Sequence, residues 1–314
     1  MQICDFSYTF GLQISKKDLC GIAGIWSSEN LNRRDLEKLT ISSRAIARRG
    51  PDAEGAYSSE RSALSHRRLS IIDTDERANQ PMRKGPYSLV YNGEIYNFRE
   101  LRKLLRSEYG AEFRTASDTE VLLHGLINEG PGFIKKLNGF FAFAFYDERN
   151  HHILIARDRF GIKPLVYAHR DNRFYFGSSL GTIMPFLERP EIDGESLSLY
   201  LGLSYIPAPK TILQGVSKLE PGYFLSVDSS GLKCEEYYEV SAIDKKDIGY
   251  EEAKKELKIR LEESVQKRLV SDVPLGTFLS GGVDSSVISL LASRHKKDIP
   301  AFSIGFPYQP YFDE

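Results

Sequence analysis

The side chains with the clearest chemical potential fall into two separate stretches of the sequence. The segment that begins at Cys20 reads CGIAGI and places one thiol at the head of a run of small and apolar residues. A cysteine thiol becomes a strong nucleophile when a neighbouring group takes its proton. The second stretch, from Ser280 to Ser286, reads SGGVDSS and lies between an apolar segment and a helix-forming segment. The first stretch predicts covalent catalysis, and the second predicts anion binding.

The glycine- and serine-rich segment has the chemistry of a phosphate site. Gly281 and Gly282 let the backbone approach a ligand closely, and the helix that follows offers free N–H groups and a positive dipole end. No lysine stands where a Walker-type loop requires it. Asp284 would repel phosphate unless a cation lay between them, so the segment also predicts Mg²⁺ with Asp284 as its ligand. A serine-rich helix cap with a glycine turn is the plainer alternative, which the length of the motif disfavours.

Composition argues against several classes of protein. The 314 residues carry 42 Lys and Arg against 43 Asp and Glu, and a net charge of −1 gives no reason to expect nucleic acid or an anionic membrane as a partner. Three cysteines without metal-ligand spacing argue against a disulfide framework and favour a reducing, cytoplasmic location. No apolar run approaches the roughly 20 residues that a membrane span needs.

Two regions with different patterns must position these motifs. In residues 20–205, helices predicted near 31–48, 98–108 and 119–130 are mixed with strands, a pattern that favours an α+β layered domain. The predicted strands are 20–26, 63–73, 87–98, 140–147, 151–158 and 173–179.

The remainder of the chain changes character at about residue 206. Prolines and glycines punctuate residues 206–248, which we interpret as an inter-domain connection followed by a β-ribbon. A helix predicted at 250–270 leads into a strand, the glycine turn, a helix and a second strand, the start of a parallel α/β sheet within 249–314. Residues 1–19 form an extension without periodicity or a signal-peptide pattern.

Several short motifs in the first region occur together in one order. They are CGIAGI, RRGPD (48–52), SHRRLSIID (65–73), YNGEIYN (91–97), SDTE (117–120), NGFFAFAFYD (138–147) and ARDRFGIKPLVY (156–167). Together they resemble the glutaminase domain of class II glutamine amidotransferases, whose nucleophile is an N-terminal cysteine. The later motifs YIPAPKTI, LEPGYFL and SGGVDSS narrow the resemblance to glutamine-hydrolysing asparagine synthetases, over about residues 20–314.

The resemblance implies a fold and a set of roles. The fold would be a four-layer αββα N-terminal-nucleophile hydrolase, followed by an incomplete α/β parallel-sheet ATP-pyrophosphatase domain. Cys20 would attack the glutamine carboxamide with its own α-amino group as base, and Asn92 and Gly93 would form the oxyanion hole. Arg68 would bind the α-carboxylate, and two acidic residues the α-ammonium. The implied glutamine-binding set is Arg68, Leu69, Ser70, Ile71, Ile72, Asn92, Gly93, Glu94 and Asp118.

The second region would then bind ATP and Mg²⁺. The implied ATP-binding set is Leu279, Ser280, Gly281, Gly282, Asp284, Ser285, Ser286 and Ile304, with Asp284 on the metal. Aspartate would be activated as β-aspartyl-AMP, and ammonia released at Cys20 would reach it through an internal channel. The family also suggests a homodimer. The later loop that completes the family's nucleotide site and the residues that bind aspartate have no counterpart in these 314 residues, so we expect a C-terminally truncated piece of a longer protein.

The position of Cys20 raises a question, because a nucleophile inside the chain has an amide nitrogen, which is no base. Three interpretations of residues 1–19 are open. They are a propeptide that is removed, the product of a start codon assigned too far upstream with Leu19 as the true initiator, or a real extension that inactivates the glutaminase. We favour the second interpretation.

Two other functions stay open at this point. One is an amidoligase of the same family that acts on a different carboxylate, and the other is a catalytically silent, regulatory homologue. A sugar-phosphate amidotransferase would share the first region but would not contain SGGVDSS.

Overall fold

A computed structural model describes residues 20–240 and 247–305 of the chain. The predictions for residues 1–19 and for the end of the chain from 306 lie outside the described residues. Seven helices occur in the described parts: α1 Arg33–Ala45, α2 Phe98–Tyr109, α3 Asp118–Glu129, α4 Leu180–Ile183, α5 Gly194–Leu203, α6 Tyr250–Arg268 and α7 Val283–His295. Three short 3₁₀ turns lie at Glu76–Ala78, Gly130–Lys136 and Met184–Phe186.

The described residues also form fourteen strands. They are β1 Gly21–Ser27, β2 Ala53–Ser58, β3 Ser62–Arg68, β4 Met82–Lys84, β5 Tyr87–Ile95, β6 Gly139–Asp147, β7 His152–Arg157, β8 Val166–Arg170, β9 Arg173–Gly177, β10 Ser217–Lys218, β11 Tyr223–Asp228, β12 Gly231–Glu236, β13 Thr277–Phe278 and β14 Ala301–Phe302. The first twelve build two six-stranded sheets with the orders β10-β8-β9-β1-β3-β2 and β12-β11-β7-β6-β5-β4. The strand pairs within both sheets are antiparallel.

Three apolar clusters show that the N-terminal unit has four layers. One cluster, which includes Trp26 and Phe176, fills the space between the two sheets. A second, which includes Leu105 and Phe133, packs α2 and α3 on the outer face of the second sheet. A third, which includes Leu39, packs α1 and α4 on the outer face of the first. Burial on this scale is the main driving force for such packing, and the predicted αββα arrangement is confirmed.

Helix starts near the site are fixed by local chemistry. Ser117 caps α3, because its hydroxyl accepts the N–H of Glu120. The Glu120 carboxylate turns back to accept the N–H groups of Arg114 and Thr115. These bonds hold the first turn of α3, and with it Asp118, in one place.

Two predicted strands reach the site, and one of them differs from the observed strand there. The strand predicted at 63–73 ends at Arg68, and residues 69–75 form a loop instead. The apolar residues of that loop, Leu69, Ile71 and Ile72, line a pocket rather than extend the sheet. Asn92 and Gly93, whose pairing also favours a hairpin turn, lie inside β5 opposite Ala142 and Phe141. The prediction of a strand there is confirmed.

Residues 206–248 contain the predicted β-ribbon. Strands β11 and β12 form a hairpin, and β11 also pairs with β7 along four residues, so the ribbon extends the second sheet. Strand β10 adds to the edge of the first sheet next to β8. Residues 241–246 lie outside the described residues.

The C-terminal unit begins with α6 and continues with a short parallel pair. Strands β13 and β14 pair in parallel, with Thr277 opposite Ala301, and α7 runs between them in the chain. This strand–helix–strand order is the one predicted for the start of an α/β sheet. Across the described residues, no helix combines the length and the apolar character that crossing a bilayer requires.

Candidate active site

One pocket at the end of the two-sheet sandwich gathers most of the predicted glutamine-site residues. Its lining residues come from the position just before β1, from β3, β5 and the start of α3, and from two loops. They are Cys20, Arg68, Leu69, Ile71, Ile72, Gln80, Tyr91, Asn92, Gly93, Glu94, Asp118, Thr119 and Lys163. Of the predicted set only Ser70 does not line it, and the Ser70 N–H donates to Asp52 Oδ2 at 2.9 Å.

Cys20 stands immediately before β1 at the mouth of this pocket. Its Sγ accepts the N–H of Leu69 at 3.3 Å and lies 3.5 Å from the Leu69 carbonyl oxygen. Arg49 donates from Nε to the Cys20 carbonyl oxygen at 3.1 Å, which fixes the backbone behind the thiol. Burial raises the pKa of the Cys20 thiol, although Lys163 and Arg68 oppose the rise. The sulfur therefore needs a base or a counter-charge before it can attack.

Asn92 presents two polar atoms that the described residues leave without a partner. The residue is 1% exposed, and neither Oδ1 nor Nδ2 has a hydrogen bond within the described parts of the chain. A buried amide without partners costs about 1–3 kcal/mol. Gly93 is required next to it, because a Cβ there would lie 2.2 Å from the Phe140 carbonyl oxygen. Such unsatisfied polar atoms in a lined pocket are typical of a site that awaits a ligand.

Asp118 is the buried carboxylate at the far side of the pocket. It is 4% exposed, and its Oδ2 accepts the Tyr91 hydroxyl and the Ile95 N–H, both at 2.9 Å. Burial raises the pKa of Asp118, while these hydrogen bonds lower it. Burial also raises the pKa of the half-buried Glu94, and Lys163 opposes that rise. The pocket thus holds two carboxylates whose charges burial makes costly.

Arg68 also holds the loop that follows β3, a role that the sequence did not reveal. Its Nη1 donates to the Asp75 carbonyl at 3.0 Å and to Asn79 Oδ1 at 2.7 Å, and its Nη2 donates to the carbonyls of Ile72 and Asp73. A planar guanidinium with several donors suits this task. The predicted carboxylate ligand therefore also orders the loop that covers the pocket.

The same loop is tied to the C-terminal unit. Asp272, which follows α6, accepts the Asp73 N–H on Oδ2 at 2.7 Å, and its own N–H donates to the Ile71 carbonyl at 3.0 Å. The Asp73 carboxylate in turn accepts the N–H of Ala116 at 2.6 Å, just before α3. Asp272 is thus bonded directly to the cover of the pocket.

Sequence reasoning missed several residues of the pocket. Gln80 accepts the Tyr91 N–H on Oε1 at 2.6 Å, and Tyr91 in turn holds Asp118. Lys163 is 5% exposed. It lies in the quoted motif ARDRFGIKPLVY, and a lysine beside a glycine turn was the one available signal for it.

The predicted phosphate loop has a different character. Leu279, which follows β13, donates its N–H to the Phe302 carbonyl at 2.8 Å, while Ile304 is 79% exposed. The serine hydroxyls bond within the loop: Ser280 and Ser285 lie 3.1 Å apart through their Oγ atoms, and Ser286 donates to the Gly282 carbonyl at 2.8 Å. Gly281 has φ of +93°, a conformation that favours glycine.

The metal prediction rests on Asp284 alone, in the first turn of α7. Throughout residues 20–240 and 247–305, no group of three or more His, Cys, Asp or Glu is arranged to hold a metal ion. Mg²⁺ commonly binds through one or two carboxylates together with substrate phosphates and waters. The single carboxylate present fits an Mg²⁺ ion that is held jointly by protein and substrate phosphates. It does not fit a metal site formed by protein ligands alone.

Known proteins share both the sequence pattern and the fold. The family model of a glutamine amidotransferase domain matches residues 19–238, and the model of asparagine synthase matches residues 256–314. Asparagine synthetase (glutamine-hydrolysing) 1 of Bacillus subtilis (strain 168) is 37% identical over 300 residues, which cover 93% of this chain and 47% of that protein. Amidase chry2 of Gibberella zeae is 35% identical over 267 residues, 82% of this chain and 39% of that protein.

A solved structure supports the fold. Glutamine phosphoribosylpyrophosphate amidotransferase from B. subtilis superposes with a TM-score of 0.52 at 18% identity, covering 92% of this chain and 67% of that one. The predicted resemblance to glutamine-hydrolysing asparagine synthetases is confirmed, and the chain spans about half the length of the curated relatives it matches. The match over residues 19–238 shows that the chain belongs to the family defined by the glutamine amidotransferase domain.

Proposed function

We propose that the N-terminal unit hydrolyses glutamine at Cys20 and that the ammonia serves an ATP-dependent synthetase, with asparagine as the product. The observation that carries the proposal is the Asn92 side chain, buried in the pocket that Cys20 also lines, with both polar atoms unpartnered among the described residues. An unpaired amide donor next to a nucleophile is what an oxyanion hole requires.

The charges of the pocket suit a free amino acid. Arg68 and Lys163 supply positive charge, and Glu94 and Asp118 supply negative charge. Glutamine carries one carboxylate and one ammonium, so both of its charged groups find opposite charges. The α-carboxylate binds Arg68 in exchange for part of its loop contacts, and the α-ammonium binds Asp118 and Glu94.

The reaction proceeds through a thioester. The Cys20 thiol gives its proton to the α-amine of the same residue, which requires a chain that starts at Cys20, and Sγ attacks the carboxamide carbon. Asn92 Nδ2 and the Gly93 N–H stabilise the oxyanion, ammonia leaves with the transferred proton, and water hydrolyses the thioester to glutamate.

The C-terminal unit binds ATP and Mg²⁺ in this proposal. The residues from Leu279 to Ser286 would hold phosphate oxygens by backbone N–H groups and hydroxyls at the start of α7, and Asp284 would hold Mg²⁺, which would neutralise phosphate charge. ATP supplies the leaving group that activates the acceptor carboxylate. Aspartate is the proposed acceptor and a homodimer the proposed assembly. A different carboxylate is the second candidate, because the chain is also similar, over 82% of its length, to a protein that is not named an asparagine synthetase, Amidase chry2.

The decisive experiment is glutamine hydrolysis by protein whose N-terminus has been read by mass spectrometry. Cys20→Ala should abolish hydrolysis in protein that begins at Cys20, whereas Cys234→Ala, on the exposed face of β12, should leave it unchanged. Equal activity of wild type and Cys20→Ala would overturn the proposal. Radiolabelled aspartate offered with ATP and glutamine to the full-length protein then separates the two acceptors, since only the first candidate yields labelled asparagine.

A further inference from the structure

Lys163 is a buried cation that faces the same pocket as Cys20. It lies in the loop between β7 and β8 and is 5% exposed. Within the described residues, its ammonium makes neither a hydrogen bond nor an ion pair, although Glu94 lines the same pocket. Lysines are almost never buried unless a partner compensates their charge. The structure thus keeps a charge in the pocket that no described side chain holds at contact distance.

The backbone around Lys163 is built to fix this side chain. Asp158, which is fully buried, accepts the N–H groups of Phe160, Ile162 and Lys163 at 2.9–3.1 Å. The Lys163 carbonyl accepts Arg157 Nε at 2.8 Å, so the residue is held on both sides of its Cα. Gly161 closes the turn with φ of +64°. A residue presented by so rigid a turn has a defined direction, as preorganised sites require.

Cys20 shares this pocket with charged groups of both signs. Its neighbours in the pocket are the cations Lys163 and Arg68, the carboxylates Asp118 and Glu94, and the phenol of Tyr91; Arg49 bonds the carbonyl behind it. Burial raises the pKa of the Cys20 thiol most, the hydrogen bond from the Leu69 N–H lowers it, Lys163 and Arg68 lower it further, and Asp118 raises it. Arg68 gives four hydrogen bonds to oxygen atoms of its loop. The Lys163 ammonium makes no such hydrogen bond among the described residues, and its charge acts on both Glu94 and Cys20.

We propose that Lys163 is the counter-charge that stabilises the Cys20 thiolate, a positioning role for the glutaminase reaction. The inference rests on the proposed function for its biological meaning. The proton of Sγ goes to the base, and Lys163 keeps its own proton throughout. The thiolate loses its negative charge when Sγ forms a bond with the carboxamide carbon. An opposite charge near a titrating group lowers the free energy of its ionised form and thereby raises the fraction of reactive thiolate.

The test is the pH dependence of Cys20 alkylation by iodoacetamide, measured by mass spectrometry for each cysteine. Alkylation reports the thiolate without any glutamine, so it separates this proposal from the glutaminase proposal. Cys234, exposed on β12, is alkylated in the same sample and serves as an internal control. The variants are Lys163→Met, which keeps length without charge, Lys163→Arg, which keeps charge, and Lys135→Met, which removes an exposed lysine elsewhere.

We expect Lys163→Met to raise the pKa for Cys20 alkylation by about one unit or more. The rate at pH 7 should fall by about threefold for each unit, because a more basic thiolate is also more nucleophilic. Lys163→Arg and Lys135→Met should keep the wild-type profile, and Cys234 should react alike in all variants.

An unchanged Cys20 profile in Lys163→Met would overturn the proposal, as would an equal shift in Lys135→Met. If Lys163→Met fails to fold, Lys163→Gln provides the neutral variant with a polar head, and the same shift is expected. A normal alkylation shift without any glutamine hydrolysis would leave the counter-charge in place and reject the proposed function instead.

Discussion

The pocket at Cys20 and the loop at Ser280–Ser286 solve the problem of binding a charged ligand in opposite ways. The pocket buries its charges and leaves Asn92 unpartnered among the described residues. The cost of burying these polar groups is therefore met when the protein folds, before a ligand binds. The loop keeps Asp284 and Ser280 exposed and lets its serine hydroxyls bond one another. The first site is preorganised, and burying its polar groups opposes folding. The second site buries little charge and takes its shape from local backbone geometry.

Replacing the unpartnered amide should produce the largest effect. Asn92→Ala removes no hydrogen bond to any described residue, so we expect the fold to persist while kcat for glutamine hydrolysis falls by about 10²–10³. Steady-state kinetics and urea unfolding measure the two properties separately. Ser65→Ala, which deletes another buried polar atom without a described partner, is the matched control and should retain full activity. A parallel loss of stability and activity in Asn92→Ala would contradict a catalytic role.

The contact between the two units should have an intermediate effect. Asp272→Ala removes the acceptor of the Asp73 N–H, a bond worth about 1 kcal/mol, so we expect KM for glutamine to rise about fivefold with a smaller change in kcat. The control is Asp284→Ala, which deletes another exposed aspartate of the C-terminal unit and should leave KM for glutamine unchanged. Identical KM values in the two variants would show that the loop does not depend on Asp272.

Stability should respond to pH through Glu94. Burial raises the folded pKa of this carboxyl above its ordinary value of 4.5, so the native state binds the proton more tightly than the unfolded state does. The contribution of Glu94 to the free energy of unfolding therefore falls as pH rises from below 4.5 to above the folded pKa. At neutral pH the ionised Glu94 destabilises the folded state by the full amount.

Glu94→Gln removes that cost. We expect a higher urea midpoint than wild type at pH 7 and a smaller difference at pH 4, together with weaker glutamine binding, which is the usual exchange of stability for function. A variant that is less stable than wild type at pH 7 would refute the assignment of a destabilising buried charge.

The smallest effect on glutamine hydrolysis is expected from the phosphate loop. Gly281→Ala places a side chain at φ of +93°, which costs about 1–2 kcal/mol locally, and should weaken ATP binding while leaving glutamine kinetics unchanged. Gly249→Ala is the matched control, because Gly249 lies outside the loop, has φ of −65°, and a Cβ there would meet no atom within 4 Å. Equal losses of ATP binding in the two variants would show that the backbone conformation at Gly281 is irrelevant.

Much of the architecture was predictable because local pattern and global packing agree. Helices α2, α3 and α6 begin and end within a few residues of their predicted positions, since periodicity and caps specify them locally. The strand predicted at 63–73 was wrong beyond Arg68, because apolar Leu69, Ile71 and Ile72 read as a sheet face although they cover a pocket. Sequence distinguishes apolar from polar residues but does not say which apolar surface they meet.

The sequence alone determined which chemistry is present: a cysteine before a small-residue strand, an Asn-Gly pair, an acidic helix start and a glycine–serine loop. Each of these depends on residue types at short spacing, and such patterns can be recognised without knowledge of the fold. Only the tertiary structure decided that Cys20, β3, β5 and α3 meet at one pocket, that Arg68 holds the loop that follows β3, and that Lys163 lines the pocket from the loop after β7. The physical reason is that strand register and sheet packing bring together residues far apart in sequence, and those long-range choices follow from the whole core rather than from any single segment.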